Sequence, residues 1–274
     1  MKIGYKSDVG KKRELNEDSI VIVRCDTACE SENVQAALLI VADGMGGHNA
    51  GEVASRLAST RVAENVVKSM LEQGSIDLGK TIKEVNKDIY EYVEENPEYK
   101  DMGTTVTAAV VQGPHVYIGH VGDTRAYLIS EEIIQITKDH SLVQEIVDHK
   151  EITKEEARIH PQKHIITRAV GIHHTVEVDT VTKYLYGDDY LLLCSDGLTD
   201  IVTDEEICNI IRVHADPQTI CDALVDTAND RGGFDNISVI VAQVDGLPRR
   251  EDILSDKTRI RMSRNTEEDD RGGE

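Results

Sequence analysis

With 274 residues, the chain can bury one substantial core and sits near the upper end of what a single domain carries. Its formal charge of −21 argues against a nucleic-acid binder, because phosphate backbones are gripped by clustered Lys and Arg. The start, Met1-Lys2-Ile3-Gly4-Tyr5, lacks the apolar centre of a signal peptide, and no uninterrupted apolar run is long enough to cross a bilayer. The five cysteines (Cys25, Cys29, Cys194, Cys208, Cys221) are odd in number and scattered, and no second Cys or His pair follows Cys25 and Cys29 at zinc spacing. A cytoplasmic protein in a reducing compartment is the expectation.

In chain order, Ser19 to Val23 is almost wholly β-branched, and Ala36 to Ala42 is a continuous apolar run that ends at Asp43-Gly44, so both read as strands. Gly51 to Gln73 reads as a helix with Val53, Leu57, Val62, Val66 and Met70 on one face. A second helix places Ile82, Val85, Ile89 and Tyr92 on its buried stripe and stops at Pro97. Thr104 to Val111, His115 to Val121, Ala126 to Ser130 and Ile133 to Ile136 are short, β-branched and divided by turn residues, which predicts an antiparallel meander. A polar, helix-prone insertion follows from His140 to Gly171, with Thr153-Lys154-Glu155-Glu156 in the form of a capping box.

Strands are then predicted at Thr175 to Thr182, Tyr190 to Cys194 and Ile237 to Val244. Two helices separate the last pair, one capped by Thr203-Asp204-Glu205-Glu206 and one opened by Asp216-Pro217. Cys194 lies within the apolar run Tyr190-Leu191-Leu192-Leu193 and reads as a small buried thiol. Runs of strands with helices in pairs do not fit alternating βαβ units; they fit an α+β layered fold, two antiparallel sheets face to face with helices outside. From Gly246 the chain turns Arg-rich and then acidic, with few apolar residues, and is read as a charged, mobile tail over 246–274 that follows a single folded domain over 1–245.

Carboxylates recur where strands end beside glycine. Asp43 closes Leu38-Leu39-Ile40-Val41-Ala42 and precedes Gly44, Asp196 closes the run through Cys194 and precedes Gly197, and Asp235 follows Gly232-Gly233-Phe234. Asp123 follows Val121-Gly122, and Glu17 and Asp18 introduce the first strand. One such residue usually caps a turn. If the strand ends converge, the carboxylates meet at low dielectric and cannot all stay ionised without cations; all-oxygen donors select hard ions such as Mg²⁺ or Mn²⁺ over zinc. Spacing alone leaves both readings open.

Seven motifs carry a resemblance that bears on the choice. Arg13-Glu14-Leu15-Asn16-Glu17-Asp18, Asp43-Gly44-Met45-Gly46-Gly47-His48, Gly103-Thr104-Thr105, Gly122-Asp123-Thr124-Arg125, Asp139-His140-Ser141, Ser195-Asp196-Gly197-Leu198 and Gly233-Phe234-Asp235-Asn236 resemble, in order, those of the bacterial type 2C metal-dependent (PPM) Ser/Thr protein phosphatases. They span residues 13 to 236, and each is weak alone but specific in combination. The resemblance implies a four-layer α-β-β-α sandwich. It implies that Asp43 bridges two Mn²⁺ or Mg²⁺ ions, with Asp196 and Asp235 completing the first, the Gly44 carbonyl serving the second, and Glu17 and Asp18 holding its ligands or waters. Asp123, sharing Asp196, matches the ligand of a third, weaker ion, and Arg13 matches the arginine that grips the substrate phosphate. It also implies that a water activated between the two ions, about 3.5–4 Å apart, attacks phosphorus directly without a phospho-enzyme. The expected partners are phosphorylated proteins and a cognate Ser/Thr kinase whose action is reversed in bacterial signalling; no membrane is involved and a monomer is expected.

Two departures stand out. Animal and plant relatives carry a proton-donating histidine two residues after the bridging aspartate, and here Met45 occupies that position, with His48 as a candidate substitute. The insertion from about 140 to 171 corresponds to the family's flap, and within it His160-Pro161-Gln162-Lys163-His164 has histidine where relatives often have asparagine; a solvated surface histidine is the expectation, and tuning of substrate access by its charge near neutral pH is the alternative. His173-His174 reads as an ordinary turn. A catalytically dead scaffold and a hydrolase of another phosphoester, such as a nucleotide, are the competing functions; the retained carboxylates and Arg13 count against the first, and the acidic composition without an aromatic cluster counts against the second.

Overall fold

The apolar run of residues 36–42 has no polar alternation because both of its faces are covered. Leu39 and Val41 point into one core while Leu38 and Ile40 point into another, as the two-residue period of a strand requires. The same division repeats at Leu191 and Leu193 against Leu192 and Cys194. A layered architecture follows directly, since each sheet has a partner sheet on one side and helices on the other. The computed structural model describes residues 1–29, 32–46, 50–73, 76–250 and 252.

One sheet has the order β1 (Lys2–Asp8), β11 (Ile237–Gln243), β10 (Tyr190–Cys194), β7 (Arg125–Ile129) and β8 (Ile133–Gln135). The other runs β2 (Asp18–Cys29), β3 (Glu32–Met45), β5 (Val106–Gln112), β6 (His115–Val121) and β9 (Asp179–Tyr184), with the two-residue β4 (Gly103–Thr104) paired to the end of β3. All pairings are antiparallel. Between the sheets, Leu39, Val41, Ala109 and Ile118 meet Leu191, Leu193 and Ile240. Helices α1 (Ala50–Gln73) and α2 (Leu78–Glu95) cover the second sheet, and α6 (Asp204–Val213) and α7 (Pro217–Asp230) cover the first. The fold is therefore the expected α+β sandwich of four layers, α-β-β-α. Each fully buried leucine in it contributes about 1.5–3 kcal/mol through burial.

The helix signals are realised as written. Thr203 and Glu206 form a reciprocal capping box at α6, Thr153 and Glu156 do the same at the short α4 (Lys154–Arg158), and Asp216 caps α7 ahead of Pro217. In α1 the fully buried apolar positions are Ala54, Ala58, Val62 and Val66, with Val53, Leu57 and Met70 packed at the margin. Small side chains four residues apart let this helix lie close to β2 and β3, and Ser59 exchanges a 2.8 Å hydroxyl hydrogen bond with Ser19.

Three features differ from expectation. Strand β1 precedes the first predicted strand; its mixed sequence is held by pairing with β11 from Lys2↔Gln243 to Asp8↔Ile237, which local composition does not reveal. The stretch predicted as a meander from Thr104 onward is not one sheet. After β6 the chain passes through Gly122 (φ 112°) and enters β7 in the opposite sheet. The strand expected at Thr175 to Thr182, after the flap, runs instead over Asp179–Tyr184.

The start of the tail is packed. Leu247 joins the inter-sheet core, Gly187 N donates to Pro248 O at 3.1 Å, and the Arg250 guanidinium pairs with the fully buried Asp189 carboxylate at 3.0 Å while lying 4.3 Å over the Tyr186 ring. The rest of the predicted tail, residue 251 and residues 253–274, lies outside the described residues, as do His48 and the side chain of Cys29. Cys194 is fully buried as expected. At the His173-His174 turn, both backbone carbonyls accept from the buried Asn86 amide, at 2.9 and 3.2 Å. No helix among the described residues is long and apolar enough to cross a membrane.

Candidate active site

The strand ends do converge. Asp18 opens β2 directly opposite Asp43 near the end of β3, so antiparallel register alone brings two carboxylates together. Asp196 follows β10 at the start of the one-turn helix α5 (Asp196–Thr199), and Asp235 precedes β11, whose Val239 is paired with Cys194. Asp123 stands in the crossover between β6 and β7. Arg13, Glu17, Asp43, Gly44, Asp123, Asp196 and Asp235 line one open cleft of about 760 Å³ between the ends of the two sheets. Asp18 lies behind that surface, buried, accepting a 2.7 Å hydrogen bond from Ser195 Oγ.

Backbone and neutral side chains hold this set in place. Asp43 is fixed by Thr105, whose Oγ1 accepts from Asp43 N at 2.9 Å and whose N donates to Asp43 O at 2.8 Å, and by Thr104 Oγ1, which donates to the same carbonyl at 2.8 Å. Gly44 N donates to Glu17 O at 3.1 Å, and a Cβ at Gly44 would stand 2.0 Å from Gly51 O; only glycine allows β3 and α1 to approach this closely. Asn236 straps the loop before β2 to the loop before β11. Its Nδ2 donates to Val9 O and Leu15 O at 3.0 and 2.9 Å, and its Oδ1 accepts from Glu17 N at 2.8 Å. His140 clamps the crossover in both directions: its Nδ1 accepts from Gly122 N at 3.0 Å, and its own N donates to Gly122 O at 2.7 Å.

The electrostatics are those of a crowded anionic pocket. Burial is the largest cause lifting Asp18 to about 6 and Asp123 to about 7, and the surrounding aspartates add to it. Burial pushes Asp43 and Asp196 well above the usual carboxylate range; Asp18, Asp196, Asp123 and Asp235 add to the shift of Asp43, and Asp123, Asp200, Asp235 and Asp18 to that of Asp196. Burial raises Glu17 as well. Among the described residues, Asp18 Oδ1, Asp123 Oδ1 and Asp196 Oδ1 are buried oxygens without a hydrogen-bond partner. A buried acceptor left alone is costly. Three in one place, all oxygen donors, form the surroundings that a hard divalent cation satisfies.

Arg13 lies on the rim with its side chain about half exposed and donates through Nη2 to Asp235 Oδ2 at 2.9 Å. Asp200, Lys163, His164 and Phe234 also line the cleft, and none was singled out for the site from the sequence except the histidine-bearing flap segment. The readable signal for Asp200 is its spacing: it stands four residues after Asp196, on the same face of one helical turn. Met45, at the position where the resemblance implies that a proton-donating histidine is missing, lines the cleft. Neither Cys194 nor Cys221 is a nucleophile, since burial holds the first thiol far above its usual range and lifts the second to about 12.

Comparison with known proteins agrees with this geometry. The family model described as protein phosphatase 2C matches residues 7–237. A serine/threonine phosphatase stp from Listeria monocytogenes is 41% identical over 246 residues, covering 88% of this chain and 95% of that protein. The crystal structure of a bacterial serine phosphatase superposes with a TM-score of 0.82 at 40% identity, covering 90% of this chain and 98% of the other. The catalytic domain of the serine/threonine protein phosphatase PstP, solved in complex with 2 manganese ions, superposes with a TM-score of 0.73 at 36% identity over 89% of this chain and 98% of that one. The chain belongs to the protein phosphatase 2C family of serine/threonine phosphatases.

Proposed function

We propose that this protein hydrolyses phosphoserine and phosphothreonine on other proteins in the bacterial cytoplasm, in a reaction that depends on Mn²⁺ or Mg²⁺ and opposes a Ser/Thr kinase. The observation that carries the reading is the set of partnerless buried oxygens on Asp18, Asp123 and Asp196 in a pocket of mutually repelling carboxylates. Asp43, Asp196, Asp235 and the Gly44 carbonyl hold two ions, with Glu17 and Asp18 steadying them or their waters, and Asp123 with Asp196 holds a third. When bound, divalent ions act as Lewis acids that make a water nucleophilic at neutral pH and offset charge on phosphoryl oxygens.

The chain's own residues supply the rest. Arg13 presents a planar guanidinium at the cleft rim, and its Nη2 leaves Asp235 to donate, together with a neighbouring N–H, to two phosphate oxygens. Ser195 Oγ and the Asn236 strap keep Asp18 and the Glu17 segment from drifting as charge accumulates on the substrate. Among the described residues no cysteine lines the cleft, so no thiol carries a covalent intermediate in this reading, and water attacks phosphorus directly.

Hydrolysis of phosphothreonine peptides with and without Mn²⁺, comparing wild type with Asp43→Asn, tests this. Activity is expected to require the ion, and the variant to lose at least about 10²-fold, the scale reached when one preorganised charge-stabilising group is removed. Equal turnover after exhaustive chelation would overturn the reading.

A further inference from the structure

Asp123 makes its turn beside two buried histidines. Register across the second sheet sets Thr107, His120 and Asp179 side by side on β5, β6 and β9, so their side chains leave one face of the sheet just before the chain crosses to β7. The loop after β8 brings Lys138 and His140 against this row, with the two imidazole centroids 4.8 Å apart. Thr107, His120 and His140 are buried, and none of them lines the cleft, nor does Asp179.

Hydrogen bonding leaves each ring one tautomer. His120 Nε2 stands 3.1 Å from Lys138 O, an atom that only accepts, so Nε2 carries the proton and Nδ1 is the acceptor. Thr107 Oγ1, 2.9 Å from that Nδ1, also lies 2.7 Å from Thr124 Oγ1 and 3.1 Å from Thr124 O, and so links the ring to the residue after Asp123. His140 Nδ1 accepts from Gly122 N, a group that only donates, so here too the proton sits on Nε2, and it faces Asp179 Oδ2 at 3.3 Å. Arg168 Nη1, 3.1 Å from the same Nε2, meets no lone pair there and donates to Asp179 Oδ1 at 2.9 Å. Burial favours the neutral form of both rings, taking His120 down to about 4 and lowering His140 as well.

We propose that His120 and His140 are positioning residues for Asp123: two neutral imidazoles, both protonated on Nε2, that hold Thr124 and Gly122 and so aim the carboxylate between them, with Asp179 fixing the His140 tautomer. Asp123 needs such a grip. Gly122 leads into it at φ 112°, and its own Oδ1 is buried without a partner, so the aim of that oxygen falls to the backbone on either side. Asp179, at the first position of the edge strand β9, thereby acts on the cleft through His140 without lining it. The inference rests on the ion-dependent reading above, and it adds residues that hold Asp123 rather than touch an ion or substrate.

The test uses the full chain. With histidines ¹⁵N-labelled and Mg²⁺ in excess, long-range ¹H–¹⁵N spectra should show an unprotonated Nδ1 and a protonated Nε2 on both His120 and His140. Asp179→Asn, whose amide meets Nε2 equally well with its oxygen or its NH₂, should let His140 mix tautomers. In equilibrium dialysis His140→Leu should weaken the loosest class of Mn²⁺, to which Asp123 is assigned, about tenfold or more while the tighter ions stay bound. His140→Asn, whose Oδ1 replaces Nδ1 as acceptor for Gly122 N, should recover most of that affinity, and Asp179→Asn should show a smaller loss in the same class. A merely structural role lowers the thermal midpoint without separating the classes of ion or being rescued by asparagine. Should His140→Leu fail to fold, Asp179→Asn against wild type decides. A proton on His140 Nδ1 in wild type, a loss of all classes together, or unaltered affinity of the loosest class in the variants overturns the proposal and leaves the phosphatase reading standing. Failure of wild type to bind Mn²⁺ overturns both.

Discussion

Arg13 is the one cation among the side chains proposed to act on substrate, and its present partner is Asp235. Its guanidinium is held charged chiefly by that hydrogen bond, with Glu17 and Asp43 adding attraction. A lysine there keeps the charge and loses the planar fork, so Arg13→Lys is expected to raise KM for phosphopeptide about tenfold, the equivalent of about 1.4 kcal/mol, with a smaller change in kcat. Steady-state kinetics at saturating Mn²⁺ measure this, and an unchanged KM would remove Arg13 from substrate binding. Arg13 was legible because its motif and order match a family. Its contact with Asp235 was not, because 222 residues separate the two in sequence.

The crossover between β6 and β7 is the element on which the position of Asp123 depends. Gly122 has φ 112°, and a Cβ built there would stand 2.5 Å from Thr105 Cβ, in the residue that also fixes Asp43. An alanine must both adopt backbone geometry that L-residues resist, worth about 1–3 kcal/mol, and displace Thr105. Gly122→Ala is therefore expected to lower the thermal midpoint by several degrees and to reduce Mn²⁺ affinity together with it. Differential scanning calorimetry with and without the ion checks both, and a fully stable variant with unaltered Mn²⁺ binding would contradict the account. The sequence marked Gly122 as a turn; that the turn carries the chain from one sheet to the other depends on which strand pairs with β7, and that partner is β10, more than sixty residues downstream.

Across the whole molecule, the balance between pocket charge and core sets how stability responds to pH. Carboxylates raised by burial contribute stability that is complete below their unfolded values near 4 and lost as pH rises through the folded ones, about 6 for Asp18 and about 7 for Asp123. His120, buried beside His140, runs the other way: burial lowers it to about 4, so its contribution is complete above about 6.5 and cannot offset the loss at higher pH. The ion-free protein is thus expected to lose thermal stability as pH rises from about 4 to about 7. Mn²⁺ held at about a hundred times its Kd at pH 7.5 should restore about 2.7 kcal/mol there, about 5–10 °C for a domain of this size, and the same ion concentration should restore less at pH 5.5, where protons compete for the carboxylates. A gain independent of pH would mean that the buried carboxylates are not what the ion relieves.

Local chemistry was readable wherever a short segment decides its own structure. The capping boxes at Thr153 and Thr203, Pro217 at the start of α7, and the doubly covered strands through Leu39 and Leu192 are fixed by neighbours within a few residues. The candidate carboxylates could likewise be named from strand ends and glycines. Tertiary structure decided the rest: that β1 exists, because a polar-rich segment becomes a strand only when β11 offers a partner; that Asp18 and Asp43 face each other, because antiparallel register is a property of two strands; and that Asp200 and His164 stand beside Asp196, because the flap folds onto α5. Hydrogen bonding and charge act across space, and only the packed sheets bring together groups that the chain holds far apart.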